Sequence, residues 1–245
     1  VNREPADEMS ASKPPGDYGI DAPRLLIVPV VLIGAGIAQA VVQRTWWPLV
    51  GVALILACCL LAVHASRAGK FVVWNRLLDG LGLHGDEKIV DLGCGRGALL
   101  VSAARRVPAG LAVGVDLWRA DQSGNSPDAT MRNAAAAGVA DRVEVHTGNL
   151  LDLPLPDASF DVVVSNVAMH NLKARDDRDR AIDEAVRVLR PGGRLLIADL
   201  SGTRQYEQRL RHLGLADVSR RGLGWRLWWS GPWLPTHLVS ARKPR

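Results

Sequence analysis

The residues of this chain best placed to do chemistry are Val90, Asp91, Leu92, Gly93, Cys94, Gly95, Arg96 and Gly97. An apolar run ends there and a helix-forming run begins, so the stretch closes a strand and opens a helix. Glycine at every second position lets the backbone turn sharply and approach a ligand without side-chain collision. The spacing is G-x-G-x-G, whereas a dinucleotide loop has G-x-G-x-x-G, and here an acid lies two residues before the first glycine. A pyrophosphate has little use for Asp91. The ammonium group of an amino-acid-bearing ligand, by contrast, needs such an acceptor.

A second acid, Asp116, ends the next apolar run, Leu111 to Asp116. Ligands of open α/β sheets lie beyond the carboxyl ends of the strands, where an acid can take both hydroxyls of a ribose. That role is shared with dinucleotide enzymes, so Asp116 indicates a ribose without naming the ligand. Further along stand Gly148, Asn149 and Leu150, then Ser165 and Asn166 at the end of a fourth run, then the turn Arg190, Pro191, Gly192, Gly193.

These residues need a scaffold. Short apolar runs at Lys88 to Leu92, Leu111 to Asp116, Val143 to Thr147, Phe160 to Ser165 and Arg194 to Asp199 alternate with helical stretches near Leu99 to Arg106, Ala129 to Ala137 and Asp177 to Leu189. Alternating strands and helices of this kind predict a doubly wound, Rossmann-like parallel sheet with helices on both faces.

With four motifs in this order and spacing, residues 71 to 245 resemble a class I S-adenosylmethionine-dependent methyltransferase, in the branch that includes quinone and small-molecule methyltransferases. The resemblance implies a seven-stranded α/β sheet whose two late antiparallel strands fall near Asp217 to Arg226 and Leu234 to Ala241. It implies S-adenosyl-L-methionine as cofactor. Asp91, Gly93, Cys94, Gly95 and Gly97 would surround its methionine part, Asp116 and Leu117 its ribose, and Asn149 and Leu150 its adenine edge, with Ser165 nearby. The family commonly has aspartate where this chain has Asn149, and an asparagine oxygen can still meet an adenine amino group. On the substrate side, His170, Asn166 and Asn171 follow the fourth strand and would face the transferred methyl. His170 is the candidate base, Asn166 and Asn171 the candidates for orienting it or the substrate. The polar loop Trp118 to Asn125 folds over the cofactor, lines the acceptor pocket or is simply solvated. The six histidines are scattered without ligand spacing, so no metal is expected.

The remainder concerns location. Residues 1–24 are polar and proline-rich and read as a flexible tail. Residues 25–66 hold two uncharged runs, Leu25 to Gln43 and Thr45 to Ser66, separated by Arg44. Each is just long enough to cross a bilayer core of about 30 Å, which needs roughly 20 helical residues. They predict a transmembrane hairpin preceding a catalytic domain at 67–245, with Trp46 and Trp47 at an interface. Gly34, Gly36, Ala38 and Ala40 would allow close helix approach, and the hairpin could pair with a second copy. A secretory signal fits less well, because the first run starts late and a second follows. A cytosolic cofactor puts both termini in the cytoplasm, with Arg67, Lys70 and Arg76 as the positive flank. Three cysteines, two of them adjacent, make no disulfide framework.

The net charge is +5, yet from Arg204 onward nine arginines and lysines face only Glu207 and Asp217. This basic end suits an anionic membrane surface better than nucleic acid, which is not an expected partner. Trp225, Trp228, Trp229 and Trp233 cluster in the same region. They predict an interfacial contact, an aromatic acceptor pocket or ordinary packing. The expected activity is methylation of a hydrophobic small-molecule or lipid-like acceptor such as a phenol, thiol or quinone. The alternatives are a nucleic-acid or protein methyltransferase, and a non-catalytic S-adenosylmethionine-binding membrane scaffold.

Overall fold

A computed structural model describes residues 13–21, 23, 27–119 and 123–245. Strands β1 (Lys88–Leu92), β2 (Leu111–Asp116), β3 (Val143–Thr147), β4 (Phe160–Asn166), β5 (Leu189–Asp199), β6 (Ala216–Gly222) and β7 (His237–Arg242) form one sheet in the order β3-β2-β1-β4-β5-β7-β6. The first five are mutually parallel, while β7 runs antiparallel to both β5 and β6. The seven strands match the expected architecture. One boundary differs: Arg190, Pro191, Gly192 and Gly193, expected as a turn before the fifth strand, lie inside β5. The pairing with β4 shifts there, from Phe160 opposite Leu189 to Val162 opposite Arg194.

Alternation along the strands divides the core. Val90, Val163, Leu195, Ile197 and Val239 face helices α6 (Arg175–Val188) and α7 (Thr203–His212), where they meet Ile182, Ala185, Tyr206 and Leu210. Ile89, Val162, Val164, Leu196 and Leu238 point the other way, onto Trp74 and Leu78 of α3 (Lys70–Asp79) and Leu99 of α4 (Ala98–Ala104). With both faces covered, the central strands read as nearly continuous apolar runs. Helix α5 (Pro127–Ala136) completes that second layer. Its N-cap Ser126 accepts a hydrogen bond from the Ala129 amide, and Pro127 follows where a missing N–H costs nothing.

The N-terminal hairpin consists of α1 (Ile27–Gln43) and α2 (Pro48–His64). Helix α2 does not end where the sequence suggested a domain border. It continues through a π-helical turn, Ala65–Gly69, directly into α3, so the border drawn between residues 66 and 67 falls within one helical rod. Helix α2 and the first domain helix are therefore continuous, from Pro48 to Asp79. Small residues permit the α1–α2 approach at only some of the expected places. A Cβ on Gly36 would lie 2.6 Å from Val52, and Ala40 is buried, whereas Gly34 has nothing within 4 Å and Ala38 is exposed.

Two sequence expectations need correction. Residues 13–21, expected within a flexible tail, form a strap held on the domain; residues 1–12 lie outside the described residues. Tyr18 is buried edge-on to Phe71, the Asp17 amide donates to Asn133, and the Ile20 amide donates to Ser123 Oγ. One buried aromatic outweighs the turn-forming composition around it. Lys70, expected in a positive flank, is also buried: its Nζ donates to Asp21 Oδ2 at 2.8 Å, and Ser66 Oγ donates to the same oxygen. Removing residues 1–66 would leave that ammonium buried without its carboxylate, a strongly destabilising change.

Candidate active site at the ends of the parallel strands

Beyond the carboxyl ends of β1, β2 and β4 lies a cavity of about 580 Å³. The glycine loop shapes one wall. Gly93, Gly95 and Gly97 all have positive φ, at 77°, 52° and 81°. A Cβ on Gly93 would come within 2.3 Å of Ala168, and one on Gly97 within 2.8 Å of Thr130. Only glycine meets both demands there. The loop is then pinned from outside: the Gly93 amide donates to Val115 O, Thr130 Oγ1 to Gly95 O, and Asn133 Nδ2 to Arg96 O. Thr130 and Asn133 escaped the sequence reading because they sit on a helix with no motif of its own.

Asp91 is buried, and neither carboxylate oxygen has a hydrogen-bond partner. Burial, reinforced by the nearby Asp116 carboxylate, pushes its pKa up to about 8; the Leu100 amide opposes the shift without reaching hydrogen-bond geometry. A buried carboxylate without partners is costly unless a cation arrives to meet it. An amino-acid ammonium group at this end of the cavity supplies that cation, so the residues present fit S-adenosylmethionine.

Asp116 stands differently. Its Oδ2 accepts from the Gly95 amide at 2.8 Å, and its Oδ1 accepts from the Trp118 amide at 2.6 Å and from Asn125 Nδ2 at 3.4 Å. It braces the glycine loop against the polar loop after β2. Leu117, Arg119 and Asn125 of that polar loop line the cavity, and Ser123 holds the strap.

The other candidates divide. Cys94, Asn149, Leu150, Asn166, His170 and Asn171 line the cavity together with Asp91, Gly93, Gly95, Asp116 and Leu117; Gly97 and Ser165 do not. Gly97 acts behind the loop, against Thr130. Ser165 is fully buried and its hydroxyl donates to Leu92 O, bracing β4 against β1. Asn149 Oδ1 accepts from the Leu151 amide at 3.1 Å, so the oxygen expected to meet adenine already serves a local turn. Asn166 Oδ1 accepts from the Trp74 indole at 2.8 Å.

His170 has a partner that sequence reading missed. Asp199, at the end of β5 and fully buried, takes His170 Nδ1 on Oδ1 at 2.7 Å. The backbone amides of His170 and Leu200 donate to the two oxygens of the same carboxylate, and Tyr206 Oη to Oδ2. Acceptance at Asp199 fixes the proton on Nδ1 and leaves the Nε2 lone pair as the basic position. The available signal was an acid closing the apolar run Arg194 to Asp199, the pattern already used for Asp116 at the end of Leu111 to Asp116.

The tryptophan cluster packs on the base of the hairpin. Leu227 and Trp229 are buried with Ala65 and Val73, and Trp229 and Leu234 line the cavity. Trp225 stacks on His64 at 5.1 Å, and a Cβ on Gly69 would collide with Arg226 O. Within this cluster, Trp233, 70% exposed, and half-exposed Trp225 present the large aromatic surface.

Residues 90–197 match the family described as "Methyltransferase domain". The chain is 34% identical over 140 residues to a demethylmenaquinone methyltransferase of Symbiobacterium thermophilum, covering 56% of this chain and 53% of that one. It is 33% identical over 153 residues to a 27-O-demethylrifamycin SV methyltransferase of Amycolatopsis mediterranei, covering 59% and 52%. The chain thus spans about half the length of these curated relatives. Among solved structures, a geranyl diphosphate methyltransferase in complex with SAM superposes with a TM-score of 0.56 at 20% identity, over 71% of this chain and 86% of that one. The match over residues 90–197, together with relatives and structural neighbours named as methyltransferases, supports an S-adenosylmethionine-dependent methyltransferase.

Proposed function

We propose that this chain transfers a methyl group from S-adenosylmethionine to a hydrophobic small-molecule acceptor, with His170 as the base. The observation that carries this reading is the convergence of partnerless Asp91 and the Asp199-bound imidazole of His170 on one cavity. When bound, the cofactor would supply an electrophilic sulfonium methyl group. Asp91 holds the ammonium end, and the glycine loop lets the ligand approach the backbone. Asp116 takes a ribose hydroxyl at the cost of its 3.4 Å contact with Asn125, the weakest of its three. As the acceptor's lone pair takes the methyl carbon and the C–S bond electrons leave with the sulfur as a neutral thioether, the acceptor's proton would pass to His170 Nε2, and the buried Asp199 carboxylate would stabilise the imidazolium. Asn171, next to His170 in the chain, also lines the cavity. The demethylmenaquinone and demethylrifamycin methyltransferases are named for small-molecule acceptors and match over 140 and 153 residues, whereas a U6 snRNA methyltransferase of Bos taurus matches over 110, which supports the small-molecule class. Purified protein incubated with radiolabelled cofactor and a lipid extract is expected to label an extractable small molecule, identified by mass. Label found only in RNA or protein would overturn the reading.

We further propose that α1 and α2 insert in a membrane as a hairpin with the catalytic domain on the cytoplasmic side. The rod Pro48–Asp79 is long and apolar enough to cross, with mean hydropathy 2.4 in its best window; α1 is apolar but shorter, at 17 residues. Val41, Val42 and Leu60 expose 71%, 82% and 69% of their surface, a cost in water and none in lipid. Full-length protein is expected to stay with membranes through alkaline carbonate and molar salt. Release by either would reduce the hairpin to a peripheral contact.

A further inference from the structure

We infer that the cavity continues between the hairpin helices as an apolar gallery, and that its occupant is the chain of a single-chain amphiphile whose polar head sits at His170. This rests on the methyl-transfer reading and adds the substrate's architecture to it. One cavity is lined both by Asp91, Gly93 and His170 of the catalytic domain and by Leu32, Ile55 and Cys59 of the hairpin. The hairpin contributes residues at helical spacing: Val28, Pro29 and Leu32 on α1, and Ile55, Cys58, Cys59, Ala62 and Val63 on α2. Residues three and four apart share a helix face, so one stripe of each helix faces the gap. From Ile55 to Val63 the stripe runs ~12 Å at the rise of an α-helix.

The polarity changes sharply along this cavity. Among the described residues, the lining acids and bases, Asp21, Lys70, Asp91, Asp116, Arg119 and His170, all lie outside α1 and α2, which contribute aliphatic side chains, a proline and two thiols. A wholly polar acceptor would leave the apolar half filled with poorly bonded water. A wholly apolar one would leave the polar half without partners. Toward the tip of the hairpin the two helices approach closely, a Cβ on Gly36 coming 2.6 Å from Val52, and the inferred chain occupies the gap on the domain side of that contact. Outside, both helices expose aliphatic surface such as Val31 and Leu54, so the phase around the gallery is one in which such an amphiphile dissolves.

Photolabelling tests this on full-length protein in lipid nanodiscs, with two phenols as probes: one carrying a diazirine at the end of a decyl chain, the other carrying it next to the ring. The chain-end probe is expected to modify Leu32, Ile55 and Cys59 at least about tenfold more than outward Val31, Val42 and Leu60, the ratio that ~1.4 kcal/mol of preferential occupancy gives. Excess unlabelled decylphenol should suppress that labelling, and the ring-proximal probe should mark residues beside His170. Uniform labelling of inward and outward faces, or inward labelling that decylphenol does not compete, would overturn the gallery. Calorimetric titration of the same protein with S-adenosylmethionine tests the underlying reading separately. Cofactor binding with uniform labelling sinks only the gallery; competed inward labelling without cofactor binding sinks only the methyl-transfer reading.

Discussion

Asp91→Asn is expected to weaken S-adenosylmethionine binding by tenfold or more while making the ligand-free protein more stable at alkaline pH. The two effects have one cause. The Asp91 carboxyl is buried without hydrogen-bond partners and its pKa is pushed up to about 8, from 3.8 for an unperturbed aspartate. Between those values the folded state holds a proton that the unfolded state has lost, so ligand-free stability falls as pH rises from about 4 through about 8. Asparagine carries no charge at any pH, which removes that slope. The same change deletes a charge-assisted contact to the cofactor's ammonium group, worth ~1.5 to 3 kcal/mol, a factor of ten or more in affinity. Thermal melts of both proteins at pH 5 and pH 9, with calorimetric titrations, check the pair of effects. Equal affinity for cofactor in the variant would remove Asp91 from the site, and a parallel pH dependence of both melts would contradict its raised pKa.

His170→Ala is expected to lower turnover by roughly a hundredfold or more at saturating acceptor while leaving cofactor affinity nearly unchanged, the signature of a group acting in the transition state. Asp199 is not interchangeable with asparagine. Both of its oxygens accept from backbone amides, of His170 and of Leu200, so an amide NH₂ at either position faces a donor. Asp199→Asn should therefore lose activity through a misplaced His170 ring and also lower the melting temperature, whereas His170→Ala should leave the fold largely intact. Single-turnover rates with melts on each variant separate the two. A His170→Ala protein turning over at the parental rate removes the residue from the mechanism.

The linear order of residues decided much of this molecule. The parallel sheet was legible because strands covered on both faces must be apolar almost throughout, and Lys88 to Leu92, Leu111 to Asp116 and Phe160 to Ser165 are. The glycine loop was legible because backbone at positive φ restricts residue type, so Gly93, Gly95 and Gly97 announce their geometry. The two apolar runs of the hairpin were equally plain, since length and lack of charge are properties of sequence alone.

What required the tertiary structure is everything that depends on residues distant in sequence. Asp199 meets His170 only because β4 and β5 lie side by side, with Asn166 opposite Ala198. Asn149 looked ready for a ligand until its oxygen was found on the Leu151 amide, and Ser165 until its hydroxyl was found on Leu92. The strap at residues 13–21 was hidden by its composition: prolines and glycines signal irregular backbone, but whether such backbone is anchored depends on a distant pocket for Tyr18. Lys70 likewise reads as a flanking charge until Asp21 is brought to it. Local preference and hydrophobic period act within a few residues and are written in order along the chain. Hydrogen-bond partners and cavities arise from chain closure, and only the folded chain decides them.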